Sequence, residues 1–492
     1  MTDVLADAKR WRVSRRKLLG AGGSAALGLA GLAIVKVARK TRDNDPGGQI
    51  VRAAIASTPP LPGTLILGRP TDTTIAMSYL GTGAREIAVR YGLADGAWSR
   101  DSGPFKSEPD VPLTVTLEGL SPGRLHSYRI LDRASGEATW RASEPRTFQT
   151  ARPTGSAFTF TVQADSHRDD NSNPDLYQQT LANVRADRPD FHIDLGDTFM
   201  CDKFAETRQQ VVARYVEERE WFGVVADSAP LFLVNGNHEG EAGWLQNGRA
   251  ENLAVWAAQA RLRYYLNPTP DAFYSGDSTA EPFVGQRASY YAWSWGSAQF
   301  IVLDPFWFTK SKPGGRVDSW AWTLGERQYR WLEQTLAQSR APLKFVFIHH
   351  LVGGNGTSAR GGVEAATFWE WGGSGAGGRS EFASKRPGWR APIHALLVEH
   401  GVSAVFHGHD HLYVRQELDG VVYQEVPQPS HMGKNGAQLA AEGGYRSGVI
   451  RSSSGHLRIS VDGRTAHVEY VQARVGGGAA IEHAYTIEGR GS

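Results

Sequence analysis

The sequence has a single cysteine, Cys201, in 492 residues. An intramolecular disulfide is therefore excluded, and the fold does not depend on an oxidising compartment. A zinc site built from several thiolates is excluded as well. Cys201 itself reads as a small buried apolar residue. An excess of charge is also lacking: 53 Lys and Arg stand against 51 Asp and Glu, a net charge of +2. Such a balance gives no argument for nucleic acid or for an anionic membrane as a partner. Long uncharged apolar runs are missing from all of the chain except its beginning.

At that beginning, Leu18–Val35 carries no charge, is rich in Gly and Ala, and follows Ser14-Arg15-Arg16-Lys17. Paired arginines ahead of a weakly hydrophobic stretch resemble a twin-arginine (Tat) export signal. The resemblance implies a handover to the Tat machinery and a periplasmic or extracellular protein. Tat carries folded proteins, which suits a chain that takes up metal before export. If the segment stays uncleaved it would serve as a membrane anchor; Ala54-Ile55-Ala56 offers a late cleavage site. Residues 1–55 are set apart from the fold on this ground.

What is present in abundance is alternation. Between residues 56 and 152, short runs of period two recur at turn-punctuated intervals: Thr64–Leu67, Thr73–Tyr79, Glu86–Tyr91, Leu113–Leu117, His126–Leu131 and Arg146–Gln149. They predict an all-β sandwich. Leu117–Arg129 and Phe148-Gln149-Thr150 resemble segments of fibronectin type III domains. From Ala157 the period changes. A strand Ala157–Ala164, a helix opened by Asn173-Pro174 and closed before Pro189, and a strand Phe191–Leu195 make a βαβ unit. Helix Leu324–Gln338 leads into strand Lys344–Ile348. The expected class for residues 153–475 is α/β, two packed mixed β-sheets flanked by helices, with residues 476–492 as a C-terminal tail. Two insertions stand out. Gly240–Trp295 is dense in aromatics, expected to pack it onto the body. Gly353–Gly378 is a glycine-rich loop that reads either as a mobile lid or as plain flexibility.

The chemistry lies where apolar runs end. Asp165-Ser166-His167, Gly196-Asp197, Gly236-Asn237-His238-Glu239, His349-His350 and Gly408-His409-Asp410-His411 each follow a strand-like segment. Carboxylate, imidazole and amide are the ligand set for borderline divalent or trivalent ions. In open α/β sheets the ligand site lies beyond the carboxyl ends of the strands.

In this order the motifs resemble those of the calcineurin-like metallophosphoesterase superfamily, over roughly Gly155 to Gln472. The sandwich ahead of them makes the layout similar to purple acid phosphatases and D-type alkaline phosphatases. The resemblance implies hydrolysis of phosphate esters by a hydroxide shared between two metal ions, drawn from iron, zinc and manganese. It assigns Asp165, His167 and His411 to the first ion and Asn237, His349 and His409 to the second, with Asp197 bridging. It gives His238 the task of assisting the leaving oxygen, with Glu239 orienting it; His350, His407 and Asp410, adjacent in sequence to the expected ligands, are expected behind them. His431, in Pro429-Ser430-His431, reads at most as a pocket-lining residue. Purple acid phosphatases carry a tyrosine ligand three residues after the bridging aspartate; here that position is Met200, so a tyrosinate–iron site is not expected. Two other readings stand beside this one: a phosphodiesterase acting on nucleotides or phospholipids, and an envelope binding protein without catalysis.

Overall fold

The computed structural model describes residues 61–490 except 315, 316, 357, 434 and 435. The arginine pair, the apolar stretch after it and Ala54-Ile55-Ala56 lie outside the described residues. Among those described, no helix is long and apolar enough to cross a membrane.

The first element is a β-sandwich. Strands Gly63–Gly68, Ile75–Gly81 and Leu113–Leu117 form one sheet, and the other is built on Arg85–Leu93 and Leu125–Ala134. Alternate residues point inward, as period two requires: Leu65, Leu67, Ile75, Met77, Val89, Val115, Ile130 and Phe148 share one core. The runs expected from sequence all fall on strands. Strand Arg100–Ser107 was not expected; it pairs with Arg85–Leu93 at the sheet edge and is mostly exposed, so burial wrote no pattern into it.

The body has two sheets. In the six-stranded sheet the order is Leu231–Leu233, Phe191–Asp194, Phe158–Gln163, Gly455–Asp462, Thr465–Arg474 and Gly478–Glu488. The last strand corrects the expected tail: residues 478–488 pair antiparallel along Thr465–Arg474. The eight-stranded sheet has Ala298–Val302, Leu343–Phe347 and Ala404–His407 parallel at its centre. The sheets face each other across phenylalanines. Phe160, Phe191, Phe300, Phe345, Phe347 and Phe406 lie in the shared core, with Phe347 stacked on Phe406 at 5.2 Å. The alternate residues Ile301, Val346 and Val405 face outward onto helix Glu326–Gln338 and helix Ile393–Glu399. Helix Pro174–Asp187 begins where expected: Asn173 accepts from the Leu176 N–H and Pro174 occupies the first turn. The aromatic insertion packs as anticipated, since Tyr274, Tyr291, Trp293 and Trp295 belong to the inter-sheet core.

Sandwich and body are pinned by a buried guanidinium. Arg219, on helix Arg208–Ala226, donates to Thr64 Oγ1 at 3.0 Å, Ser78 Oγ at 3.2 Å and the Ser78 carbonyl at 2.8 Å, and also to the Tyr264 carbonyl.

Candidate metal centre

Parallel strands deliver the motifs to one edge. Phe158–Gln163, Phe191–Asp194 and Leu231–Leu233 run parallel in one sheet, and Leu343–Phe347 and Ala404–His407 in the other. Their following loops meet and are stitched by backbone bonds. Asp165 N–H donates to the Gly196 carbonyl at 2.9 Å, His167 N–H to the Asp197 carbonyl at 3.1 Å, and Gly408 N–H to the His349 carbonyl at 2.9 Å. The glycine of each motif has a steric reason. A Cβ on Gly236 would strike the Asp197 backbone nitrogen and carboxylate, and one on Gly408 would lie 2.5 Å from Asp165 Oδ2. Asp165, His167, Asp197, Met200, His409 and His411 all adopt positive φ. Non-glycine residues avoid this conformation unless the surroundings enforce it, and such residues cluster at functional sites.

The side chains converge as the sequence predicts. Asp197 Oδ2 lies 3.1 Å from His349 Nε2, 3.4 Å from His167 Nε2 and 3.9 Å from His238 Nε2. Asp165 Oδ1 lies 3.5 Å from His411 Nε2 and 3.6 Å from His167 Nε2. Asn237 Oδ1 is 3.1 Å from His349 Nε2. Three overlapping groups could each hold a metal ion: Asp165 with His167 and His411, His167 with Asp197 and His238, and Asp197 with His349 and His409. The donors suit a cation. Asp165 Oδ1 is buried without a hydrogen-bond partner, an expensive condition for a carboxylate oxygen unless a positive charge sits beside it. Burial works to raise the pKa of Asp165 and Asp197, but His349 and the neighbouring histidines overcome it and hold both well below the ordinary carboxylate range. Both acids are thus ionised and ready to bind.

Second contacts fix which ring nitrogen faces inward. His349 Nδ1 is 2.9 Å from the Leu195 carbonyl, so it carries the proton and Nε2 is the open donor atom. For His409 the roles reverse: Nε2 is 2.8 Å from the Ser358 carbonyl in the glycine-rich segment. That segment is tied down by Asp410, which accepts from the Gly361 N–H at 2.7 Å, Tyr445 Oη at 2.7 Å and Arg360 Nη1 at 3.1 Å. Asp410 therefore lies behind the carboxylate–histidine cluster. His350 does too: Nδ1 bonds the Leu351 carbonyl at 2.9 Å and the ring packs on Trp322 and Phe306. Burial, aided by His349, pulls its pKa down to about 3.

One role differs from expectation. Glu239 does not orient His238. Its carboxylate accepts the backbone N–H groups of Asp197 at 3.0 Å, Thr198 at 2.7 Å and Phe199 at 3.3 Å, and that of Gly236. It buttresses the Gly-Asp loop. Burial and the Asp197 charge push its pKa up to about 7. The partner of His238 is Asp202, whose Oδ1 lies 2.8 Å from Nδ1. Burial opposes protonation of His238, but Asp197 and then Asp202 outweigh it and raise its pKa. Asp202 stands on the short helix Cys201–Phe204, just past the Gly-Asp motif. A carboxylate within a few residues of that motif was the only signal that could have found it. Met200, at the tyrosine position, is buried.

Two facing mixed sheets carry helices on their outer sides and a carboxylate–histidine cluster that could hold metal at the parallel strand ends. The sequence model of the calcineurin-like phosphoesterase domain matches residues 158–413, just over half of the chain. This protein belongs to that family. No curated protein matches the sequence. Among solved structures it is similar to PhoD, with a TM-score of 0.63 and 14% identity, covering 88% of this chain and 92% of that one. At that identity the likeness speaks for the fold. GAP50 of the Plasmodium inner membrane complex is a looser likeness, with a TM-score of 0.38 and 13% identity over 68% of this chain and 89% of that one. So is a 5′-nucleotidase-like protein of Staphylococcus aureus, described as putative, with a TM-score of 0.32 and 13% identity over 68% and 55%.

Proposed function

We propose that this protein hydrolyses phosphate esters with two metal ions, drawn from iron, zinc and manganese. Asp165, His167 and His411 would hold the first, Asn237, His349 and His409 the second, and Asp197 would bridge them. The observation that carries this reading is the position of Asp197 Oδ2, within 3.4 Å of His167 on one side and 3.1 Å of His349 on the other. A pair of ions in such a site supplies activated water and neutralises charge on the phosphoryl oxygens. The protein's own groups do the rest. Asp165 and Asp197 stay ionised, and the Leu195 and Ser358 carbonyls aim two of the imidazoles. His238, held by Asp202, presents its Nε2 toward the carboxylate of Asp197. There it can donate a proton to the departing ester oxygen. Each role needs its group preset before substrate arrives, which the buried loop bonds provide. Metal analysis of the purified protein, with turnover of mono- and diester panels, tests the reading. A protein that binds no metal and cleaves no ester overturns it.

We also read the chain as exported through Tat to the periplasm or beyond, with residues 1–55 as its signal or anchor. Arg15 and Arg16 ahead of Leu18–Val35 support this.

A further inference from the structure

Helix Glu326–Gln338 changes character along its length. Its first half carries paired charges: Arg330 lies 3.4 Å from Glu326 and 3.3 Å from Glu333. From Gln334 to Gln338 there is no charge at all. There a groove of about 260 Å³ opens on the outer side of the eight-stranded sheet. Trp331, Gln334, Thr335 and Gln338 form one wall, at the i, i+3, i+4 and i+7 spacing of a single helix face. Gln299, from strand Ala298–Val302, and Ser339 supply the rest that matters here. No described residue lining the groove carries a charge.

Trp331 is fixed. It is half-buried against the core beneath the helix, and its ring lies 5.0 Å from that of Tyr290. The polar groups are held loosely or not at all. Ser339 Oγ is 3.4 Å from Gln299 Oε1, and Gln299 Nε2 reaches the Trp293 carbonyl at 3.4 Å. The side chains of Gln334, Thr335 and Gln338 make no hydrogen bond among the described residues. The groove lies at the far end of the sheet from the carboxylate–histidine cluster. Gln299 stands near the start of its strand and Ser339 precedes strand Leu343–Phe347, whereas His349 follows the end of that strand.

We propose that this groove binds a neutral hexose unit. A side-chain amide offers donors and an acceptor together, and so does a hydroxyl, whereas an ammonium only donates and a carboxylate only accepts. A wall of amides and hydroxyls therefore matches a ligand whose own groups do both, as neighbouring ring hydroxyls do. Trp331 supplies an apolar surface for the C–H face of the ring. The lack of charge selects further, since a uronic acid would lose water from its carboxylate and gain no cation. Size agrees. The groove of about 260 Å³ exceeds the about 150 Å³ that holds one benzene-sized ring. It falls short of the about 300 Å³ at which pockets for drug-sized ligands begin. One substituted ring fits between these limits. A glycan held here would tether the protein and leave the distant cluster open, so the site goes beyond phosphate-ester hydrolysis and does not depend on it.

Calorimetry on the full-length protein tests the site. The probes are D-glucose, D-galactose and D-mannose, a linear hexasaccharide of each, and D-glucuronic acid. Wild type should bind at least one neutral hexose at millimolar concentration and glucuronate roughly tenfold more weakly. Gln334→Ala with Gln338→Ala, at two exposed positions where alanine suits a helix, should weaken that binding by roughly tenfold or more. Ester hydrolysis should be unchanged in the same variant. Trp331→Ala should abolish binding, with a thermal melt confirming that the variant is folded. Tighter binding of a hexasaccharide than of its monomer places a glycan chain in the groove, and equal binding a free sugar. Absence of binding by every neutral sugar would overturn the site. So would binding unchanged in the double variant, or glucuronate bound as tightly as the neutral hexose.

Discussion

Asp202 Oδ1 and His238 Nδ1 lie 2.8 Å apart, and the opposite ring nitrogen of His238 points toward Asp197 Oδ2 at 3.9 Å. A carboxylate behind an imidazole fixes its tautomer and supports its charged form. Under the proposed function this pair would make His238 the proton donor of the pocket.

If His238 protonates the departing oxygen, its removal should matter most for poor leaving groups. General acid catalysis is worth roughly 10²–10⁴ in rate. His238→Ala should keep its metals, slow alkyl phosphates by a factor in that range, and slow nitrophenyl phosphate far less. Asp202→Asn should show the same substrate pattern at smaller size. Kinetics on both ester types, read against metal content, decides it. Equal losses on both would reduce the pair to phosphate binding.

Asp197→Asn replaces an ionised group flanked by His167 and His349 with a neutral amide. Occupancy of both metal positions should fall and turnover should vanish. Elemental analysis alongside rates is the check. Full occupancy at a normal rate would remove Asp197 from the bridging role.

With Met200 where purple acid phosphatases have their tyrosine, the iron-loaded protein should lack a tyrosinate charge-transfer band. An absorption spectrum of that form should show no strong visible band.

His192 gives a pH dependence away from the metals. It is buried on strand Phe191–Asp194, with Nδ1 2.8 Å from Thr161 Oγ1 and Nε2 without a partner among the described residues. Burial, reinforced by His456, brings its pKa down to about 3. In the unfolded chain it titrates near 6.5. Between those values the unfolded state binds the extra proton, so stability rises with pH. The contribution is whole above about 6.5 and is lost as pH falls toward 3. The slope in that window is at most about 1.4 kcal/mol per pH unit. Urea unfolding at pH 7 and pH 5 should therefore show a smaller acid loss in His192→Gln than in wild type. Parallel losses would mean that His192 is already charged in the folded protein.

Replacing Arg15 and Arg16 with lysines should leave folded protein in the cytoplasm. Fractionation reads this directly, and undiminished export would argue for the general secretory route.

The sequence carried the carboxylate–histidine cluster and the βαβ frame because both obey strict local rules. A ligand follows a strand end, and Asn173-Pro174 opens a helix. It was silent where a residue acts through space without a pattern. Asp202 sits in a short helix of ordinary composition, and its service to His238 appears only once the loops fold together. Strands Arg100–Ser107 and Gly478–Glu488 escaped notice because edge strands half in water need no apolar alternation. Glu239 was placed correctly beside the centre but given the wrong neighbour, since adjacency in sequence to His238 says nothing of where a carboxylate points.

The Arg219 pin changes what the linker between sandwich and body means. Each guanidinium nitrogen ends on an oxygen of one side or the other, so pulling the halves apart would break its bonds to Thr64 and Ser78. Covalent continuity at residues 151–156 is then not the sole tie between them. A protease that nicked the chain there would yield two fragments that travel as one particle. The sandwich is less a detachable module than the rear wall of the enzyme.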